Sequence, residues 1–202
     1  MKRAFDIIVS LAGIIFSLPL LAPVAVLIKL DSPGPVLFKQ ERVGRGFRPF
    51  WIYKFRTMAE DAPARGPSIT FGRDRRITRV GWFLRKSKID ELPQLFNVLK
   101  GDMTFVGPRP EVPRYVELFR DDYAEILKIR PGITDLASLK YRDEAALLGN
   151  SQNPEDEYIS RILPDKIRLG KDYLQHSSFL FDVSLILKTM VKLFDHRMRM
   201  PS

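Results

Sequence analysis

The apolar residues of the N-terminal segment form one run from Ile7 to Ile28, about as long as a helix that crosses a bilayer. Lys2 and Arg3 precede the run, and further cations follow it, beginning with Lys29. A cleavable signal peptide fits poorly, since no cleavage motif of small residues comes after the run. Because basic residues favour the cytoplasmic side of a membrane, both ends are predicted to lie there. A segment that turns back within the membrane satisfies this condition.

Two prolines supply a place for the segment to turn. Pro19 and Pro23 each remove a backbone hydrogen bond near the middle of the run, and proline inside a helix kinks or breaks it. The predicted structure is a helix, a break between Leu18 and Pro23, and a second helix, with the Ser17 hydroxyl available to the freed backbone groups. Residues 1–30 are therefore predicted to form a kinked re-entrant membrane element.

Two short runs of strand-forming residues after this element predict a β-hairpin. Val36–Glu41 and Phe50–Arg56 are rich in β-branched and aromatic residues, and Gly44–Pro49 is long enough to join them. In the second strand, Lys54 and Arg56 would share a face. From the pattern alone, a solvated basic edge and a phosphate-binding face are about equally good interpretations of these two cations.

The pattern then changes to helical spacing. Leu92, Leu95, Phe96 and Leu99 recur at i, i+3, i+4 and i+7, which predicts an amphipathic helix that begins close to Asp90. The other segments are assigned from their apolar spacing, caps and breakers. They comprise helices over Val112–Ile129, Pro154–Leu163, from Pro164 onwards and over Ser177–Phe194, and a mobile loop over Ala62–Arg76.

The last predicted helix has two interpretations. Its apolar residues are mixed with scattered lysines, so it could be a core helix or could lie in the membrane interface. The basic neighbours Arg197 and Arg199 favour the interface.

Asp6, near the other end of the chain, is either a charge partner of the helix N-terminus or an anchor for Arg3. The patterns together predict a small α+β fold, mostly helical with one β-hairpin, in which residues 31–202 form a domain on the cytosolic face of the membrane.

Composition limits the classes of function. The chain has 202 residues, enough for one ordinary domain or for a smaller domain with a membrane element. Its formal charge of +9 predicts attraction to an anionic partner such as phospholipid headgroups, nucleic acid or a phosphorylated substrate. The absence of cysteine excludes disulfides, thiolate catalysis and Cys-type zinc sites.

Adjacent carboxylates stand at the predicted start of the central helix. Asp90 and Glu91 could be an N-cap and a solvated acid, which is the usual interpretation of such a pair. Two arginines flank the pair in the sequence, Arg85 and Arg109, and the second belongs to a rigid Gly-Pro-Arg-Pro turn. Arg binds phosphate in a bidentate manner, so the combination indicates a phosphate site. The stop of the next predicted helix would bring Arg130 near it.

Five separate motifs occur in the order found in a known family. They are Arg85, Asp90–Met103, Val106–Pro110, Tyr53–Met58 and Arg130–Thr134. On these residues the chain resembles the bacterial sugar transferases, a family of monotopic phosphoglycosyl transferases whose N-terminal helix is kinked and dips into one leaflet. The resemblance covers the chain from about Arg3 to Thr134.

The chain departs from the family pattern in two places. The family's break commonly reads Ser-Pro, whereas this chain has Leu18 between Ser17 and Pro19. After Thr134 the family often continues with Gly-Trp, whereas this chain has Asp-Leu. The loop from Tyr141 to Asn153 has no match in the family pattern, and we expect substrate preference to reside in this region.

The resemblance implies a reaction and its participants. Asp90 would be the nucleophile that attacks the sugar-bearing phosphorus of a UDP-sugar, expelling UMP, and a membrane polyprenyl phosphate would then take the phosphosugar. Glu91 would help hold a metal or handle the acceptor's proton. The implied cofactor is Mg²⁺, with Asp90 and Glu91 as ligands. The side chains implied to hold phosphates are those of Lys54, Arg56, Arg85, Arg109 and Arg130.

The resemblance also implies a place in the cell. The enzyme would work at the phospholipid surface of the bacterial inner membrane, with its catalytic domain on the cytoplasmic face, in the first membrane step of glycoconjugate assembly. No nucleic acid partner is expected. The alternative is a non-enzymatic, membrane-anchored basic protein that binds anionic lipid or nucleic acid. It explains the charge but not the Asp90–Glu91 pair, and it predicts salt-sensitive binding that an Asp90 substitution leaves unchanged.

Overall fold

The N-terminal element is a single helix. The computed structural model describes residues 2–67, 69–72 and 74–198, apart from the side chains of Pro63 and of residues 193–198. Helix α1 spans Lys2–Asp31 and is long and apolar enough to cross a membrane. It continues through Pro19 and Pro23, so the prediction of two helices separated by a break is wrong.

Each proline removes one backbone donor from α1, and the helix nevertheless continues past both positions. The Ser17 hydroxyl donates to the carbonyl of Ile14 at 3.0 Å, which adds a bond one turn before Pro19. The side chains around this position are turned outward: Ile15, Phe16, Leu18 and Leu20 are all exposed. The middle of α1 is therefore apolar and uncovered.

Both ends of α1, in contrast, are docked on the rest of the protein. The guanidinium of Arg3 donates to the carbonyls of Val98 and Leu99 at 2.6 and 2.8 Å. At the other end, Ile28 is buried in a cluster with Phe55. The two termini of this long helix therefore lie against the same domain.

Asp6 has neither of its two predicted roles. Its carboxylate accepts hydrogen bonds from the Thr104 hydroxyl at 2.9 and 3.0 Å and from the backbone N–H of Phe105 at 3.2 Å. The residue is 2% exposed. Because a buried carboxylate is tolerated only with such partners, Asp6 fixes the first turns of α1 to the strand that contains Thr104.

Two small sheets follow α1. The predicted hairpin is confirmed: β1 (Leu37–Val43) pairs antiparallel with β2 (Pro49–Phe55). A second sheet was not predicted, and it consists of β3 (Thr104–Val106) and β4 (Gly132–Thr134) in parallel. Each of its strands has only three residues, which is too short for a periodic signal in the sequence.

Helices make up most of the remaining chain. They are α2 (Arg79–Ser87), α3 (Gln94–Lys100), α4 (Pro113–Leu118), α5 (Arg120–Ile126), α6 (Leu136–Lys140), α7 (Glu144–Gly149), α8 (Pro154–Glu157), α9 (Leu163–His176) and α10 (Phe179–Met198). Short 3₁₀ turns cover Arg45–Phe47, Ala62–Arg65 and Ile89–Glu91.

Two helix predictions need correction. The helix expected over Val112–Ile129 is interrupted at Phe119, whose backbone is not helical, so that α4 and α5 are separate. The two helices expected on either side of Pro164 are instead continuous, because the π-helical turn Tyr158–Ile162 joins α8 to α9 with helical backbone throughout. A π turn inserts an extra residue into the helix and so changes its hydrogen-bond pattern just before Pro164.

The last helix agrees with the predicted apolar segment. α10 buries Leu185 fully and exposes Leu180, Leu187 and Val191. Arg199 lies outside the described residues and Arg197 outside the described side chains, so their predicted role at an interface stays a prediction.

The segment predicted as a mobile loop is organised around a buried cation. Arg76 is 8% exposed, and its guanidinium pairs with Asp74 at 2.7 Å. It also donates to the carbonyls of Pro67 and Ile69 at 2.9 and 3.0 Å. These bonds give the loop a defined path although its sequence has no apolar period.

The second sheet requires glycine where its strands meet. A Cβ atom on Gly132 would lie 2.2 Å from the backbone nitrogen and 2.4 Å from the carbonyl oxygen of Gly107. Replacing Gly132 by Ala should therefore lower the free energy of unfolding by about 3 kcal/mol, since backbone atoms cannot move aside. Unfolding in detergent micelles would measure this difference.

Gly46 is the matched control for this prediction. A Cβ there meets nothing within 4 Å, and the only cost comes from its φ of +66°. Gly46→Ala should cost about 1 kcal/mol. Equal losses in the two variants would contradict the steric explanation.

Candidate active site

The two adjacent carboxylates lie in a sharp turn between α2 and α3. Lys88 ends α2 in the left-handed conformation, with φ +59° and ψ 15°, and the 3₁₀ turn Ile89–Glu91 follows. The pair therefore precedes α3 instead of forming its first turn, and the predicted start of this helix at Asp90 is corrected to Gln94. The apolar stripe also differs from the prediction, because Phe96 is exposed.

Glu91 is held by two cations from distant parts of the chain. Its Oε1 lies 3.0 Å from Nζ of Lys54, on β2, and 2.5 Å from Nη2 of Arg109. Burial alone would raise the pKa of Glu91, but Arg109 and Lys54 outweigh it and hold the pKa well below its usual value. Glu91 is therefore ionised at neutral pH and orders both cations.

Asp90 has the opposite electrostatic character. The residue is 6% exposed, and its Oδ1 is buried without a hydrogen-bond partner among the described residues. Burial, and then the charge of Glu91, raise the pKa of Asp90, although Lys54, Lys88 and Arg85 oppose them. Poorly solvated and under-bonded, the ionised carboxylate is a strong base and nucleophile.

Arg85 reaches the same region from α2. Its Nε donates to the Thr57 hydroxyl at 2.8 Å and its Nη1 to the Thr70 hydroxyl at 3.0 Å. Burial lowers its pKa, while the negative charge of Asp90 opposes that change. The predicted set of Asp90, Glu91, Arg85, Arg109 and Lys54 is thus brought together in three dimensions.

Arg56 and Arg130 are not brought to the carboxylates. The guanidinium of Arg56 donates to the carbonyl of Ser32 at 2.6 Å and to that of Pro33, at the C-terminal end of α1. Nε of Arg130 donates to the carbonyl of Gly101 at 2.8 Å, which is at the opposite end of α3 from Asp90. Backbone carbonyls thus bind part of each guanidinium, although Nε of Arg56 is buried without a partner among the described residues and Arg56 lines the same cavity as Asp90.

A single large cavity opens onto these residues. Its volume is about 1540 Å³, and its wall includes Asp90, Glu91, Lys54, Arg85 and Arg109. Ligand sites for drug-sized molecules are typically 300–1,000 Å³, so a nucleotide joined to a sugar fits within it. Near the free oxygen of Asp90 the wall carries cations that include Lys54, Arg85 and Arg109, an arrangement that can bring a carboxylate to a phosphorus atom.

The chain matches the family model described as bacterial sugar transferase over residues 1–196. The chain belongs to the bacterial sugar transferase family. The resemblance inferred from the separate motifs up to Thr134 therefore extends through α10.

Curated relatives within the sugar transferase family are similar over most of the chain. A UDP-N-acetylgalactosamine-undecaprenyl-phosphate N-acetylgalactosaminephosphotransferase from Aeromonas hydrophila is 41% identical over 94% of this chain, which spans 42% of that protein. The exopolysaccharide production protein PSS from Rhizobium leguminosarum bv. phaseoli is 40% identical over 95% of the chain and 94% of its own length. The chain therefore corresponds to less than half of one relative and to nearly all of another.

Some residues of the cavity were not found from the sequence of this member of the sugar transferase family. Arg42, Glu111, Tyr158 and Lys166 line the same cavity as Asp90. The one available signal was the position of Glu111, directly after the Gly-Pro-Arg-Pro turn. The others come from a strand and a helix whose faces the sequence pattern does not align.

Proposed function

We propose that this protein transfers a phosphosugar from a UDP-sugar to a membrane polyprenyl phosphate and releases UMP. The observation that carries the proposal is the buried Asp90 oxygen without a partner, next to a Glu91 that Arg109 and Lys54 hold ionised. The family supports it, since the relatives named above include an undecaprenyl-phosphate phosphotransferase. A mere helix cap would have used the Asp90 oxygen on a backbone N–H.

The proposed reaction has two displacements at one phosphorus. An Asp90 oxygen attacks the sugar-bearing phosphorus of the donor, the bond from that phosphorus to the UMP oxygen breaks, and UMP leaves with the electron pair. The acceptor's phosphate oxygen then attacks the same phosphorus, and the bond to Asp90 breaks. The carboxylate is regenerated, and the product is a polyprenyl diphosphosugar.

The cations make the first attack feasible. A carboxylate does not approach a doubly anionic pyrophosphate unless positive charge offsets the repulsion. Arg85, Arg109 and Lys54 supply three positive charges around two carboxylates. Because Glu91 orders Arg109 and Lys54 before substrate binds, little reorganisation is needed during the reaction.

The site also fits a Mg²⁺ ion. Magnesium is usually bound by one or two carboxylates together with substrate phosphates, and Asp90 has an oxygen free for this purpose. The described residues contain no group of three or more His, Asp or Glu that could form a complete metal cage. Asp90, Glu91 and the donor's phosphates would hold the ion, which would neutralise phosphate charge when bound. Glu91 has less capacity, since Arg109 and Lys54 occupy its oxygens.

The exposed apolar surfaces of α1 and α10 support insertion of these helices into one leaflet of the membrane. The middle of α1 and the outer face of α10 expose large apolar side chains, among them Phe16 and Leu180 at 85% and 80%. Trp82, which is 59% exposed, lies on α2 close to the site, and Trp favours the headgroup region. We therefore place the cavity at the cytoplasmic surface of the inner membrane, where a soluble donor meets a lipid acceptor.

The docked ends of α1 predict its topology. The chain has no cysteine, so single cysteines can be placed at Ala4 and Lys29, which are exposed near the two ends. An impermeant maleimide should label neither position in intact spheroplasts and both in inverted vesicles, because both ends lie against the same domain. Labelling of the Ala4 position alone in spheroplasts would show a spanning helix and overturn the arrangement in which both ends of α1 lie on the cytoplasmic side.

The activity itself is tested by UMP release. Protein in nanodiscs would be incubated with Mg²⁺, polyprenyl phosphate and a panel of UDP-sugars. We expect UMP with one or a few donors and a lipid-linked product of matching mass. Salt-sensitive binding to anionic vesicles without UMP from any donor would favour the alternative of a basic membrane-binding protein.

A further inference from the structure

A second cluster of buried polar side chains lies in the wall of the same cavity. Nη1 of Arg42 pairs with Oε1 of Glu111 at 2.9 Å, and the Tyr158 hydroxyl donates to Oε2 of Glu111 at 2.6 Å. Nη2 of Arg42 donates to Oε1 of Gln40 at 2.8 Å, and Nζ of Lys166 lies 4.8 Å from the centre of the Tyr158 ring. We call these five residues the Arg42 cluster.

The cluster is connected to the active site along one face of the hairpin. Phe38 on β1 stands opposite Lys54 on β2, so the two side chains share a face of this sheet. Gln40 and Arg42 follow on the same face because side chains alternate along a strand. Arg42 is four residues from Phe38, a distance of about 13 Å along the strand. The cavity wall thus runs from Lys54 to Arg42.

Stability alone gives a poor account of this cluster. Buried ion pairs contribute little net stability compared with apolar packing, since both charges lose their hydration. Nε of Arg42 is in addition buried without a partner among the described residues. Tyr158 opens the π-helical turn, and π turns are rare and often occur at functional sites. An unpaired buried donor beside a cavity is explained if a ligand supplies the acceptor.

The chemistry of the cluster suits a nucleoside. Burial would raise the pKa of Glu111, but Arg42 and Lys166 outweigh it, so the pKa lies below its usual value and the carboxylate accepts hydrogen bonds only. Glu111 already accepts from Arg42, from Tyr158 and from the Val112 N–H at 2.8 Å, which leaves about one of its four acceptor sites for a ribose hydroxyl. A pyrimidine carbonyl offers an acceptor to Nε of Arg42. Tyr115 and Tyr158, whose ring centres are 5.0 Å apart, line the same cavity and make this part of its wall aromatic.

We propose that the Arg42 cluster binds the nucleoside of the donor, with Glu111 on a ribose hydroxyl and Arg42 on a carbonyl of the base. This assignment rests on the proposed function. The hexose is bonded directly to the phosphorus that Asp90 attacks, so it stays beside Asp90, whereas the nucleoside is separated from that phosphorus by a second phosphate. The distance along β1 therefore matches the nucleoside and not the hexose. Attack by Asp90 also requires the leaving UMP to point away from the carboxylate.

Direct binding of UDP and of inorganic pyrophosphate tests the proposal without any transfer reaction. Glu111→Gln should weaken UDP binding at least about tenfold, since a hydrogen bond to a charged group is lost. Its affinity for pyrophosphate should stay within about twofold of wild type, because Arg85, Arg109 and Lys54 are untouched. Titration calorimetry in detergent would give both constants.

A second variant guards against a folding defect. Tyr158→Phe keeps the ring and removes only the hydroxyl that orients Glu111, and we expect UDP binding about fivefold weaker. Tyr173→Phe is the matched control, because its hydroxyl donates to Asp182 at the same distance, 2.6 Å, outside the cavity wall. The control should bind UDP as the wild type does.

Three results would overturn the assignment. If Glu111→Gln weakens the binding of UDP and of pyrophosphate equally, the cluster acts on the phosphates or on the fold. If neither affinity changes, the cluster has only a structural role. If UDP binding is unchanged but the preference among UDP-sugars shifts, the cluster binds the hexose. A wild-type protein that binds UDP but releases no UMP from any donor would refute the proposed function and leave this assignment standing.

Discussion

Asp90→Asn is expected to lower UMP release by at least about 1000-fold, because an amide cannot displace UMP from phosphorus as a carboxylate does. The substitution preserves the shape of the side chain, so the cavity and the ion pairs of Glu91 should remain. UMP release measured without acceptor, together with mass spectrometry of the protein, would show that the covalent phosphosugar intermediate is lost. Wild-type turnover in this variant would remove Asp90 from the role of nucleophile.

The same substitution should make the protein more stable at neutral pH. Asp90 has a raised pKa in the folded state, so ionising it above that pKa favours the unfolded chain. The asparagine side chain has no charge to bury. The melting temperature of the Asp90→Asn protein should therefore exceed that of the wild type at pH 8. The difference should shrink as the pH falls through the raised pKa, where Asp90 becomes neutral as well. Asp121→Asn, at an exposed position on α5, should change neither activity nor this pH profile.

Glu91→Gln is expected to lower kcat about 100-fold while UDP binding remains measurable. Without the charge of Glu91, Lys54 and Arg109 lose the partner that lies 3.0 and 2.5 Å away. Asp90 then remains as a carboxylate that acts on Lys54, and pairing with that cation would make it a weaker nucleophile. Single-turnover UMP release would measure the chemical step separately from binding.

Glu117→Gln is the control for this prediction, since Glu117 also pairs with an arginine, Arg120 at 2.8 Å, but at an exposed site. Its kinetics should match the wild type, because exposed pairs contribute little. Full activity in Glu91→Gln would show that Glu91 merely packs between its cations. A loss of UDP binding as large as the loss of kcat would show that it acts on donor affinity instead.

The elements with strong local signals could be predicted from the sequence. Runs rich in β-branched and aromatic residues identified both strands of the hairpin. The pairing of Lys54 and Arg109 with Glu91 joins residues 37 and 18 positions apart, and local periodicity contains no information on such contacts. The order of the family motifs supplied this part of the site.

Other features depend on tertiary structure or on uncommon backbone. Arg56 follows β2 directly, two residues after Lys54, yet its side chain turns to the carbonyls at the end of α1, a partner that no spacing in the sequence indicates. Lys88 adopts the left-handed conformation just before Asp90. Glycine is the usual residue in this conformation, so the sequence gives no indication of the turn. Phe96 fits helical spacing but faces outward, because spacing alone does not say whether an apolar side chain meets a core or another apolar surface.

The docking of α1 sets the order in which the protein can assemble during synthesis. Arg3 binds the carbonyl of Val98, 95 residues later, and Lys2 binds the hydroxyl of Tyr173, 171 residues later. At about 5–20 residues per second, the ribosome needs roughly 10–30 s to supply the second partner. Throughout that interval α1 is a bare apolar segment outside the ribosome, and lipid or a chaperone must cover it. Translation that stalls before Tyr173 would therefore leave the first turn of α1 without one of its anchors.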